Sequence, residues 1–326
     1  MALAGATMAL ALSTSPIVAA DLSAEGIANA VGFGPADYEK LRAGEILSKE
    51  IEETTAKQLA VALALLVPVR LDEIADKVAQ GTTLEANKAI QAYGDIDPAN
   101  VEASFAEITL DADEVEKLRE IEPGSDYNLS SEEIAVFRNL GQQADADAIN
   151  AAWRQLLAGR TQAYLQNGLD GIAPYDRGGD SSSAADELRA AAEASKVLQQ
   201  ATPELHQALL AYPNQELADV QHQFFWTQQE ADDRPVYILT HRMMQRRPDL
   251  LVVLSRSFYA SHSFNASQGI AGALPVEEGA MVFYGNRTSS DQVAGFMSGM
   301  RHEVGRGMMR DSLIEAMEQI RAATKS

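Results

Sequence analysis

Residues 222–231 (HQFFWTQQEA), 235–243 (PVYILTHRM), 250–261 (LLVVLSRSFYAS), 263–274 (SFNASQGIAGAL) and 280–287 (AMVFYGNR) follow one another with a period of two. The alternation, rich in aromatic and β-branched residues, reads as five strands. Asp232-Asp233, Arg247-Pro248-Asp249 and Glu277-Glu278-Gly279 read as turns between them, and His262 marks the remaining break. Strands joined so closely form an antiparallel sheet. Downstream, Ser289-Ser290-Asp291-Gln292 has the form of a capping box. Val293, Phe296, Met297, Met300, Val304, Met308, Leu313, Met317 and Ile320 then form an apolar stripe that predicts a long C-terminal helix.

Upstream of these strands the period changes. Glu45–Ile51 reads as a strand, and Gln58–Val69 as a strand or a buried helix; Glu53-Thr54-Thr55 and Pro68 favour a hairpin. Leu71, Ile74 and Val78 have helical spacing. Between residues 98 and 215 the chain is acidic and helical. Asp111–Ile121 is short and amphipathic; a capping box at Ser130–Glu133 opens the helix Glu132–Leu140; Asp145–Asn167 carries Ile149, Trp153, Leu156, Leu157 and Tyr164 and stops at Gly168. Ala184–Gln200 and Pro203–Ala211 follow the loop Gly178–Ser183. The expected organisation is a leader (1–20), a hairpin and helix belonging to the sheet domain (21–97), a large helical insertion (98–215), and the sheet with its closing helix (216–326). The class is α+β, an antiparallel sheet covered by a long C-terminal helix.

That element order, in residues 45–80 and 222–323, resembles the helix-grip arrangement of START and Bet v 1-type lipid-binding domains. The resemblance implies an apolar cavity beneath the last helix. Phe225-Trp226-Thr227, Leu239-Thr240-His241, Tyr259-Ala260-Ser261-His262-Ser263-Phe264 and Asn286-Arg287-Thr288 with Asp291 and Gly295 look like blocks of a family of uncharacterised exported bacterial proteins. Asp126–Ser130 and Trp153-Arg154 with Tyr164, Gly168 and Tyr175 are similar to its middle blocks. This resemblance implies export and a shared fold; it carries over no catalytic residues, since none are established for that family.

Of 326 residues, 47 are acidic and 26 basic, a net charge of -21, and none is cysteine. A disulfide scaffold, thiolate zinc ligation and a cysteine nucleophile are excluded. The acidic balance opposes nucleic acid as a partner. After residue 220 the chain holds eleven basic and eleven acidic residues, so the whole excess of negative charge lies before it. Residues 1–20 (MALAGATMALALSTSPIVAA) are uncharged, apolar and end in small residues before Asp21, as a secretory signal does, although no Lys or Arg opens them. They predict a periplasmic or secreted protein with no transmembrane segment in the mature chain.

Five residues are candidate ligand contacts: His241, Tyr259, His262, Asn286 and Arg287. The histidines sit among apolar and aromatic neighbours, suited to acid–base work, a head-group anchor, or a structural hydrogen bond. Arg287 offers a planar fork to an anion at the strand-to-helix corner, or pairs with Asp291. No metal-binding motif is present, and no cofactor is expected. Gly295 and Gly299 allow close packing of the last helix; Gly305 and Gly307 soften it. The expected function is binding of an apolar or amphiphilic ligand under the C-terminal helix. The alternatives are a hydrolase-like enzyme using His241 or His262, and a non-catalytic interaction protein whose acidic helices are the working surface.

Overall fold

The computed structural model describes Gly26 and residues 32–324, apart from Ser125, Asp232 and residues 295–297. The leader lies outside the described residues, as do Gly295, Phe296 and Met297. Helix α1 (Pro35–Arg42) precedes strands β1 (Leu47–Glu50) and β2 (Gln58–Val67), helices α2 (Leu71–Ala79) and α3 (Thr82–Ala86), and strand β3 (Ile90–Asp95). The helical middle holds α4 (Ala112–Arg119), α5 (Ser131–Leu140), α6 (Ala146–Asn167), the small hairpin β4–β5 (Tyr175–Asp176, Ser181–Ser182), α7 (Ala184–Glu193), α8 (Lys196–Ala201) and α9 (Pro203–Ala211). A meander follows: β6 (Val220–Ala231), β7 (Arg234–Arg246), β8 (Leu251–Ala260), β9 (Ala266–Val276) and β10 (Gly279–Ser289), closed by α10 (Ser298–Thr324).

One sheet of eight strands, in the order β1-β2-β10-β9-β8-β7-β6-β3, organises the molecule. All its pairings are antiparallel. The hairpin expected over Glu45–Val69 is β1–β2. Every residue of β2 is buried, which is why its sequence is a continuous apolar run without alternation. β3, an edge strand, was not expected.

Helices cover both faces. On the first face Phe283, Met281, Val252, Leu254 and Met243 pack with Ala192, Leu198, Leu205 and Leu209, and Phe224, Leu239 and Phe258 pack with Trp153, Leu157 and Tyr164. The helical middle therefore shares the sheet's core. On the second face Leu65, Val67, Met244, Leu251 and Ala280 pack with Ile74, Val78 and, from α10, Met317.

Two sequence expectations need correction. Ala184–Gln200 is two helices broken at Ala194-Ser195, with the Ser195 hydroxyl capping α8. The C-terminal stripe is not one face. Ser290 caps only a short 3-10 turn, Asp291–Val293, and α10 begins at Ser298. Met300, Val304 and Met308 are 62%, 57% and 70% exposed, while Leu313, Met317 and Ile320 are partly buried. At about 100° per residue the two triads fall on opposite sides of the helix. Gly299 has open space around it; the close approach is at Gly305, where an added Cβ would stand 3.0 Å from Leu59.

Candidate functional site

Register places four polar residues in one row. Arg287 of β10 faces Gln268 of β9, Gln268 faces Arg256 of β8, and Arg256 faces His241 of β7. Residues directly opposite in a ladder share a face, with neighbouring strands about 4.8 Å apart. The row lies on the first face, because Arg287 is on the same side of its strand as Phe283, Arg256 as Leu254 and Phe258, and His241 as Leu239 and Met243.

Above one end of this row is a cavity of about 460 Å³. Its roof is the α7–α8 elbow, with Val197 and Leu198; its floor includes Val252, Ile270 and Phe283; Lys49–Glu52 and Thr54 lie to one side. The volume has a sequence cause. Gly272 and Gly285 belong to the floor, and a Cβ on either would meet nothing within 4 Å. Ala62 sits beside them. Small residues on a face otherwise bearing large ones leave a hollow that the elbow spans.

Gln268 and Arg287 line this cavity. Gln268 is 1% exposed, yet among the described residues neither its amide nitrogen nor its oxygen has a hydrogen-bond partner. Both hydrogen bonds of Arg287 leave from Nη1, to Glu52 O at 2.7 Å and Gln58 Oε1 at 2.6 Å. Burial lowers its pKa, with Glu52 and Glu53 opposing the shift. Arg287 does not pair with Asp291; that carboxylate is taken by Lys57 at 2.7 Å and Arg177 at 2.8 Å. At the rim Glu50 lies 3.0 Å from Arg306, and Glu52 3.9 Å from Lys196.

Among the described residues Arg256, 1% exposed, donates only a long bond from Nη1 to the Tyr164 hydroxyl, 3.5 Å, leaving Nε and Nη2 without partners. Among the described residues neither Arg256 nor Arg287 has an ion pair. A buried guanidinium without a counter-charge costs several kcal/mol. The row continues as a hydrogen-bonded chain: Tyr164 hydroxyl to His241 Nδ1 at 2.9 Å, then His241 Nε2 to His222 Nδ1 at 2.9 Å. Arginine only donates, so the consistent assignment has Tyr164 donating to His241, and His241 donating to His222. The last proton then sits on His222 Nε2, a buried atom with no partner among the described residues.

The five residues singled out from sequence do not converge. Arg287 and His241 share the row, three strands apart. Asn286 points to the second face, donating to Ser267 Oγ and the Tyr284 hydroxyl. His262 bonds Pro235 O at 3.0 Å and Ser263 Oγ at 2.7 Å, bracing the start of β7. The Tyr259 ring lies under the Arg160 guanidinium at 4.4 Å. His241 and His262 are 1% and 2% exposed and belong to different networks, so no shared cleft brings both imidazoles to solvent.

Beneath α10, on the second face, the space is about 140 Å³. It is bounded by Leu65, Ile74, Val253, Val282 and Met317, with Arg242 at its wall. Burial lowers the Arg242 pKa to about 10, and its Nη1 donates to Val78 O at 3.3 Å. Such a volume is about that of an engineered cavity that accepts benzene. Among the described residues no group of three or more His, Asp or Glu is placed to hold a metal ion, and no helix is long and apolar enough to cross a membrane. Compared with known proteins, the chain matches no family model, no curated protein and no solved structure.

Proposed function

We propose that the chain is an exported binding protein for an apolar or amphiphilic small molecule, whose body lies in the first-face cavity and whose polar end meets Arg287 and Gln268. The observation that carries this reading is the glycine floor beside the buried Gln268 amide, which has no partner among the described residues. A volume of about 460 Å³ falls within the range of small-molecule pockets. The apolar floor and roof suit an alkyl or ring body, and a buried unpaired amide stabilises any ligand group that satisfies it. Export rests on the leader-like residues 1–20. The order β2-β10-β9-β8-β7-β6-β3, with two helices after β2 and a long one after β10, supports the helix-grip likeness, residues 98–211 being inserted between β3 and β6. The larger volume favours the first face over the space beneath α10 as the ligand's seat.

Native mass spectrometry of protein purified without detergent is expected to show a co-purifying small molecule. Gly285→Leu starts from a position where an added Cβ meets nothing within 4 Å, so it should fold, fill the cavity and release that molecule. A folded Gly285→Leu protein retaining the same ligand at the same occupancy, or a wild-type protein that neither carries nor binds any amphiphile, would overturn the proposal.

A further inference from the structure

The row Arg287–Gln268–Arg256 says more about the polar end. We infer that the head group is a dianion of the phosphate monoester type, held by both guanidiniums with Gln268 between them; this rests on the binding reading above.

Three observations converge. Arg256 is buried with Nε and Nη2 unpaired. Gln268, its direct cross-strand neighbour, is buried with both amide atoms unpaired and forms part of the cavity wall. Arg287, the neighbour on the other side, spends only Nη1, and on neutral oxygens. The chain carries 47 acidic residues against 26 basic ones, yet leaves these two cations without an ion pair among the described residues. A carboxylate close enough to pair with either would compete with an incoming anion. The nearby carboxylates form their ion pairs elsewhere, Glu50 and Glu53 with Arg306 and Glu52 with Lys196, while the Glu52 and Glu53 carboxylates act on Arg287 only through space. On the row, Gln268 alone separates the cavity from Arg256. The two arginine Cα atoms are two strand spacings apart, about 10 Å, within reach of two long side chains converging on one anion. A monocarboxylate that pairs with Arg287 at the cavity wall leaves the buried Arg256 uncompensated. A phosphate monoester carries close to two charges near neutral pH and three terminal oxygens, enough to accept from both forks and from the Gln268 amide N–H. The Gln268 oxygen is then free to accept from either guanidinium.

The test is calorimetric titration of the full chain with decyl phosphate, decanoate and decanol. At about pH 8 the phosphate should bind at least about tenfold tighter than decanoate. That preference should shrink below about pH 6, where the phosphate becomes a monoanion while decanoate keeps its charge. Gln268→Leu replaces two unpaired polar atoms by methyl groups and is expected to fold. In it, and in Arg256→Gln, the phosphate preference should fall to about twofold or less while decanoate affinity holds. Equal affinity of the wild type for phosphate and carboxylate overturns the dianion and leaves the cavity reading standing. A preference that survives in folded Gln268→Leu also overturns it. Failure of all three probes to bind removes both readings together.

Discussion

His241 is enclosed by rings: Phe224 at 4.3 Å, Tyr212 at 4.5 Å and His222 at 5.1 Å between centroids. Burial, then the neighbouring His222 and Arg256, hold its pKa well below the ordinary 6.5; burial lowers that of His222 as well. The unfolded chain takes up protons on these imidazoles below about pH 6.5, and the folded chain does so only at lower pH. Stability is therefore flat in this respect above pH 6.5 and falls as the pH drops below it, by up to about 1.4 kcal/mol per pH unit for each group. Urea unfolding between about pH 7 and pH 5 should show that slope in the wild type, and a shallower one in His241→Phe. An equal slope in both would mean that His241 titrates normally. Sequence singled out His241 and Arg287 but missed Gln268 and Arg256. The signal for Arg256 was present in residues 254–258 (LSRSF), where period two puts an arginine on the face of Leu254 and Phe258. What single-sequence periodicity could not give is the register, because one slipped residue sends a side chain to the other face.

Helix α10 shows how an apolar pattern can be right about the element and wrong about its face. Its residues Met300, Val304 and Met308 look outward, and the packed side passes through Gly305, against Leu59 and Val293. The two glycines near its middle should respond oppositely to one substitution. Gly307→Ala meets nothing within 4 Å and should stabilise by about 0.5–1 kcal/mol through helix propensity. Gly305→Ala gains the same propensity but puts a Cβ 3.0 Å from Leu59 Cδ1, so the net gain should vanish or reverse. Denaturant midpoints of the two variants decide it; equal gains would mean α10 sits off the sheet. Elements were legible wherever local chemistry sufficed: the five meander strands, the Ser130 capping box, and Gly168 ending α6. β3 escaped because it is a short edge strand containing Gly94, whose absent side chain admits the Trp226 indole. Which sheet face each helix covers was also beyond reach, since amphipathicity states that a face is buried and not against what.

At the scale of the molecule, two helical layers must be fastened to one sheet, and Asp291 is one of the points where they are joined. It stands just past β10 and accepts from Lys57 before β2, and from Arg177 and Ser182 of the β4–β5 hairpin. Arg177 also donates to Gly124 O, Asn128 Oδ1 and Asn265 Oδ1, so one carboxylate anchors the helical middle to the end of the sheet. Burial alone would raise the Asp291 pKa; the hydrogen bonds from Lys57, Ser182 and Arg177 outweigh it and hold the carboxyl far below the ordinary range. A carboxyl so shifted stabilises the fold above its unfolded pKa, 3.8, and that contribution is lost as pH falls through and below this value. Asp291→Asn should cost about 2–3 kcal/mol near neutral pH, because it leaves Arg177 and Lys57 without their counter-charge. The gap between wild type and variant should narrow as the pH drops below about 4, where only the unfolded wild-type chain gains a proton at this position. If the gap instead stays constant with pH, the carboxylate's charge contributes nothing to holding the layers together. The helical middle would then be held to the sheet by its remaining links, among them the Glu114–Arg234 ion pair, the Asn128 bonds to Ala260 O and Phe264 O, and the packing of Trp153 and Tyr164 against Leu239 and Phe258.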